Sequence, residues 1–195
     1  MLDPKKREAI LRAATRSFVA RGFKKTSIDD VARDADVGKG TVYLACESKA
    51  DLFYQCVLQD LQAWSAQIAS FVDPRKPASE ILATMAETGV VYVADHPLVR
   101  GLWSGIHQGL LPEWHDRFEE LRTMGRATVA EVLRLGIRQG ELRPDCDVEE
   151  TAAILQDLTH SGYVLYGEAW AADPTRAERR IRTIVSLVLD GLRPR

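Results

Sequence analysis

Apolar residues recur along almost the whole chain at intervals of three and four, the period of a helix buried on one side, and strand-like alternation is nearly missing. Ile10, Ala13, Ala14, Ser17 and Phe18 form the first stripe. It predicts a helix that closes near Arg21-Gly22, where glycine can take a left-handed cap conformation. Thr26 or Ser27 can cap a second helix over 28–35, with Asp29 and Asp30 at its positive end. The break Asp36-Val37-Gly38 leads into a short third helix, 39–45. A long fourth helix, 49–71, carries Leu52, Val57, Leu61 and Ile68 and is closed by Asp73-Pro74 and Pro77, since proline does not fit a helix interior.

Five further helices are predicted over 78–94, 98–106, 114–139, 148–167 and 174–192, divided by turns rich in proline and glycine. The pattern therefore specifies an all-α fold of about nine helices. A three-helix module with a helix-turn-helix occupies residues 1–48 and a larger helical domain residues 49–195. Leu121, Met124, Thr128, Val132 and Leu135 line one face of the 114–139 helix. Ile181, Ile184, Val185, Val188, Leu189 and Leu192 give the last helix a wide apolar stripe that must be covered, either by its own core or by a second copy of the chain.

Composition first argues against a polyanionic partner, because the 195 residues carry a net charge of -2. The distribution reverses that inference. Residues 1–50 hold eleven Lys or Arg against seven Asp or Glu, and the first 25 hold eight basic side chains against Asp3 and Glu8. One end of the molecule is built to face negative charge. Cys46, Cys56 and Cys146 are odd in number and form no CxxC pair, so neither a disulfide framework nor a thiolate metal site is expected. A reducing, cytoplasmic setting fits. No run approaches the roughly 18 to 20 apolar residues of a membrane span, and the N-terminal stretch lacks a signal-type apolar core, so no membrane partner is expected.

Residues 26–53, TSIDDVARDADVGKGTVYLACESKADLF, have the layout of a helix-turn-helix, whose second helix enters the major groove of DNA. Ile28, Val31 and Ala32 face inward from the supporting helix, Val37 plugs the turn, and Val42 and Cys46 face inward from the reading helix. Gly40 keeps the reading helix slim. Thr26, Ser27, Lys39, Thr41, Tyr43 and Lys49 supply polar groups of the kind that hold phosphates or base edges, although each alone is equally compatible with capping, solvation or packing.

At the level of residues 10–53, "ILRAATRSFVARGFKKTSIDDVARDADVGKGTVYLACESKADLF" resembles the TetR family of transcriptional regulators. The likeness lies in the Ile-Leu-x-Ala-Ala opening, the Phe before the glycine turn, Thr-Ser before the support helix, and Lys-Gly-Thr-Val-Tyr followed by Ser-Lys and Leu. The resemblance implies that Thr26 and the Ser27 backbone hold phosphate, that Lys39, Gly40 and Thr41 lie at or beside base edges, and that Tyr43 and Lys49 clamp the backbone. It also implies a homodimer through helices at about 148–167 and 174–192, a roughly palindromic DNA operator, and a small apolar or amphipathic organic effector whose binding releases the operator. Departures fall at Asp36, where glycine is frequent, at Gly38, where Ser or Thr usually caps, and at Leu44, Ala45 and Cys46, where polar or aromatic residues are usual. A bulky neighbour such as Phe53 or Tyr54 is expected to refill the space left by Cys46.

No catalytic, metal or cofactor signature occurs, so none of these sites is expected. His115 with Asp116, Glu119 and Glu120 reads as a solvated helix start rather than a metal face. Trp64, Met85, Tyr92, His96, Trp103, His107, Trp114 and Phe118 are the candidates for an effector cavity, against the plainer alternative of core filler. Two other functions stay open on sequence alone: a small helical enzyme using His96 or His107, and a regulator-like dimer with weakened DNA recognition. Cys46 behind the reading helix is expected to be an inert small hydrophobe, with oxidation as the alternative.

Overall fold

The first helix, α1 (Pro4–Lys25), buries Ile10, Ala13, Ala14, Ser17 and Phe18, the stripe its spacing predicts. The structure is a computed structural model and describes residues 2–103, 111–158 and 172–194, apart from the side chains of Val90, Trp103, Glu113 and Pro174. At Gly22 the expectation needs correction. Gly22 does not end α1 in a left-handed cap; it takes φ 76°, ψ 165°, a conformation essentially restricted to glycine, and helical turns resume beyond it to Lys25.

Thr26 then turns the chain, and Ser27 caps α2 (Ile28–Asp34). The Ser27 hydroxyl oxygen accepts from the Asp30 amide at 3.1 Å while the Asp30 carboxylate accepts from the Ser27 amide and hydroxyl, a reciprocal cap. Hydrogen bonds from Ser27, then Arg33, hold the Asp30 carboxyl down to about 2. Its contribution to stability is therefore present above the ordinary carboxylate range and lost as pH falls through about 2. Asp36 supplies the turn with φ 54°, the left-handed conformation an aspartate tolerates better than most residues. Gly38 precedes α3 (Lys39–Tyr43) with no side-chain cap, as its missing hydroxyl requires.

The body follows as α4 (Lys49–Phe71), α5 (Ala78–Asp95), α6 (Pro97–Trp103), a 3-10 turn (Pro112–Trp114), α7 (His115–Gln139), α8 (148–158 in its described part) and α9 (Pro174–Leu192). Nine α-helices and no strands are present among the described residues. No helix among them is long and apolar enough to cross a membrane. The expected helices at 98–106 and 148–167 continue, in the sequence, beyond the described residues.

Two apolar clusters organise the packing. One joins Phe18, Val31 and Val42 of the three-helix head to Leu52, Phe53 and Cys56 of α4, then to Leu102 of α6 and Phe118 of α7. The other gathers Ile81 and Met85 of α5, Leu133 of α7, Leu155 of α8 and Ile181 and Val185 of α9. Helix α4 belongs to both, with Ile68 in the second cluster. Close approach at the far end of α7 requires Gly136, where a Cβ would stand 2.8 Å from Leu142 Cδ1 and 3.0 Å from the Ala78 Cβ.

The stripe on α9 is divided. Ile181, Val185, Leu189 and Leu192 are buried in their own chain, where α9 packs on α5, so these four are core rather than an outer surface. Ile184 and Val188 remain half-buried, and Leu187, which the periodicity did not single out, is 68% exposed. Phe53 packs edge-on against Phe18 and Phe23 within the head, whereas Tyr54 points elsewhere, toward Trp114 and Phe118.

Candidate nucleic-acid interface and effector cavity

At 100° per residue, Val42 and Ala45 mark the inner side of α3, and Gly40 stands opposite their midpoint with Tyr43 and Leu44 on either flank. Nothing lies within 4 Å of a Cβ built on Gly40. Glycine is therefore not needed there to accommodate the protein's own neighbours. Tyr43 is half exposed and Thr41 half-buried, so α3 presents a slim outer face of mixed polarity.

The predicted contact residues differ in what they already hold. Lys39 reaches back to α2, its Nζ 2.9 Å from Asp29 Oδ2, and this carboxylate raises the lysine's pKa by hydrogen bond and charge. Lys49 at the start of α4 donates to the Phe23 and Thr26 carbonyls at 3.0 and 3.1 Å and sits 4.5 Å from the Phe23 ring centre. It fastens α4 to the end of α1. Ser27 is half-buried, and its hydroxyl serves the α2 cap.

Thr26 is the clearest departure from expectation. Its side chain is buried and its hydroxyl is directed at the Ser17 and Gly22 carbonyls, 3.1 and 2.9 Å away. The hydroxyl is thus engaged within the chain and is not presented to a phosphate. Lys24 and Lys25, which sequence reasoning passed over, are exposed in the turn immediately before it. The basic count of the N-terminus was the signal that pointed to them.

Asp29 opposes the basic character of this face twice, by its own charge and by occupying Lys39. An Asp29→Asn variant is expected to bind duplex DNA several-fold more tightly at low salt, with the gain shrinking as salt rises. Titration of both proteins at two salt concentrations checks this; equal affinity at low salt would show that the ion pair does not restrain binding.

In the body, a cavity of about 160 Å³ lies among α4, α5, α7, α8 and α9. Leu61, Trp64 and Met85 contribute apolar wall, and Gln62, Ser65, Thr128 and Gln156 contribute polar groups. The predicted effector residues separate into three groups. Trp64 and Met85 line this cavity, while Tyr92 and His96 border a different cleft outside α5, together with Glu87, Asp95 and Glu178. Trp64 forms the partition, 4.8 Å from the Tyr92 ring, which stacks on His96 at 3.7 Å. The Tyr92 hydroxyl donates to the Asp60 carbonyl at 2.5 Å, and burial pushes its pKa up to about 12.

Trp114 and Phe118 line neither space. They pack with Tyr54 at the junction of α4 and α7, and Arg117 lies 4.5 Å from the Trp114 ring centre. Their assignment to the cavity is corrected to packing between head and body. The Trp103 side chain and His107 lie outside the described residues. Gln62, Ser65, Thr128 and Gln156 were missed because isolated polar residues on apolar helices give no sequence signal before the helices are packed.

Burial drives the Cys46 and Cys56 thiols up to about 11 and about 12, and Cys46 Sγ donates to the Val42 carbonyl at 3.4 Å. Such thiols remain protonated at neutral pH and behave as small hydrophobes. Glu119, in the acidic start of α7, pairs with Arg122 and Arg126 at 3.0 and 3.8 Å. Among the described residues no three His, Cys, Asp or Glu converge as a metal site.

A basic helical head with an outward short helix, joined to a helical body, defines a helix-turn-helix transcriptional regulator. Residues 10–56 match the family described as bacterial regulatory proteins, tetR family. The chain is 26% identical to the HTH-type transcriptional repressor KstR2 of Rhodococcus jostii, over 96% of this chain and 91% of that protein. It is 27% identical to the HTH-type transcriptional repressor BepR of Brucella suis, over 92% and 90%. The fold also matches the fatty acid degradation regulator FadR from Bacillus halodurans with a TM-score of 0.77, covering all of both chains at 18% identity. The head thus matches the TetR family, whose members bind DNA operators as dimers, and the relatives similar over most of the chain are HTH-type transcriptional repressors. The protein is a regulator of transcription and not an enzyme, which removes the histidine catalyst that sequence alone left open.

Proposed function

We propose that the protein is a cytoplasmic homodimeric repressor that binds a roughly palindromic operator and releases it when a small apolar or amphipathic organic molecule enters the body. The observation that carries this reading is the double membership of α4. Its first turns carry Leu52 and Phe53 in the core of the head, and its later turns line the cavity with Leu61 and Trp64. Any ligand that alters the seat of α4 therefore acts on the element to which the head is packed. A ligand shifts the equilibrium only through different affinity for the two arrangements. The volume of the cavity is below the roughly 300 to 1,000 Å³ usual for drug-sized ligands.

Lys39, Gly40, Thr41 and Tyr43 are assigned to the groove face, and Ser27 through its backbone, Lys24, Lys25 and Lys49 to the phosphates. The Lys49 ammonium has a third donor beyond the two carbonyls it holds. Thr26 is assigned to support. The dimer surface is assigned to α8 and α9, where Ile154, Leu158 and Leu187 expose large apolar side chains beside Ile184 and Val188.

Selection of duplexes from a random pool by the purified protein tests the reading. A recovered palindrome with half-sites about one helical turn or a multiple apart is expected. Failure to enrich any duplex, or a flat salt dependence where several phosphates should be neutralised, would overturn it. The flat salt slope would favour the regulator-like dimer with weakened recognition, a reading supported by the prior engagement of Lys39 with Asp29.

A further inference from the structure

Leu44 is 71% exposed, the most exposed of the large apolar side chains among the described residues. Its position is unusual within the head. Val42, Ala45 and Cys46, its apolar neighbours in sequence, are all buried, and Leu44 alone of this group turns outward. Its backbone is still helical, φ -78° and ψ -18°, so it continues the geometry of α3 and falls one turn after Gly40 on the same face. The open space over Gly40 and the isobutyl group of Leu44 form one apolar strip, bordered by Tyr43.

A leucine at this place can neither pair with a phosphate nor hydrogen-bond a base edge. The donors and acceptors of the major groove offer a leucine nothing, and the large apolar group displayed there is the 5-methyl of thymine. We propose that Leu44 reads a thymine methyl in each operator half-site and so determines specificity there. The inference rests on the proposed entry of α3 into the major groove. Gly40 permits the approach by leaving the centre of the face low, and Leu44 covers the methyl and removes it from water. A cytosine at that position offers no methyl and leaves the leucine exposed to water or facing a polar edge.

The experiment uses the wild-type protein and the duplex recovered by selection, with each half-site thymine replaced in turn by deoxyuridine, which removes only the methyl. At one thymine per half-site, wild-type affinity is expected to fall by about fourfold per half-site, the worth of one buried carbon. Leu44→Ala should bind the thymine duplex more weakly than the wild type and show no further loss with deoxyuridine at that position. If the wild type is selective for its operator but indifferent to every deoxyuridine, the Leu44 assignment fails while entry of α3 stands. If Leu44→Ala stays as sensitive as the wild type, another side chain reads the methyl and the assignment also fails. Absence of any sequence-selective binding by the wild type defeats both the assignment and the reading beneath it. The wild-type deoxyuridine series requires no folded variant, and circular dichroism checks that Leu44→Ala retains its helices.

Discussion

Replacement of Phe118 by alanine should cost about 3 to 5 kcal/mol of folding stability, a large share of the roughly 5 to 15 kcal/mol typical of a domain. Phe118 is fully buried, on the first turn of α7, in the cluster that continues from the head through α4 and α6. Its ring lies 6.3 Å from that of Tyr54 on α4. Removing it leaves a cavity at the place where head and body share packing, and the helices cannot close it without shifting α7 against α4. Urea unfolding monitored by helicity should show a much lower midpoint. A loss below about 1 kcal/mol would mean that the site collapses freely or that the ring is not core. This also separates Phe118 from an effector residue, whose truncation would change ligand affinity with less effect on folding.

Gly40→Ala should produce the opposite combination, a protein as stable as the wild type or up to about 1 kcal/mol more so, with operator affinity reduced tenfold or more. The stability gain follows from the lower conformational freedom of alanine in the unfolded chain and its better helix propensity, with open space to receive the methyl. The loss of affinity follows because the same methyl stands at the centre of the proposed groove face and holds the backbone away from the bases. Thermal unfolding and a duplex-binding titration on the same preparation decide the matter. A destabilised variant would show that α3 needs glycine internally; undiminished binding would show that the groove approaches another face.

Much of the architecture was legible because burial on one side imposes a period that the chain must repeat. The stripe Ile10, Ala13, Ala14, Ser17, Phe18 and the cap at Ser27 are local statements, and local physics was enough to read them. The long α7 and the last helix were equally clear. Spacing did not reveal which part of the α9 stripe meets its own α5, because both a core and a partner surface demand apolar residues at the same intervals. Trp114 and Phe118 were assigned to a cavity for a related reason. Aromatic residues fill cores and line pockets alike, and only the packing of α4 against the start of α7 distinguishes them.

The candidate DNA face shows the same limit at the scale of single atoms. Residue type made Thr26 a suitable phosphate ligand, but the hydroxyl is engaged with the Ser17 and Gly22 carbonyls inside the chain. The engagement of Lys39 by Asp29 bridges two helices separated by a turn and has no periodic signature. Leu44 looked like a departure that weakened the site when only its identity was known. Its exposure and its place beside Gly40 give it a task instead.

Helix α4 has 23 residues and so a length of about 35 Å at 1.5 Å per residue. The cavity residues Leu61–Ile68 lie roughly 20 to 30 Å along it from Lys49, so a tilt of roughly 5° about the cavity moves the head end by roughly 2 Å. The Lys49 ammonium, clasping the Phe23 and Thr26 carbonyls, is where that lever grips the head. In the proposed dimer two such levers would swing at once, and a mismatch of that size at each end is comparable with the depth of a base-edge contact. The leverage is a matter of length, so a ligand that disturbs the few side chains around the cavity would shift each head against the half-site assigned to it.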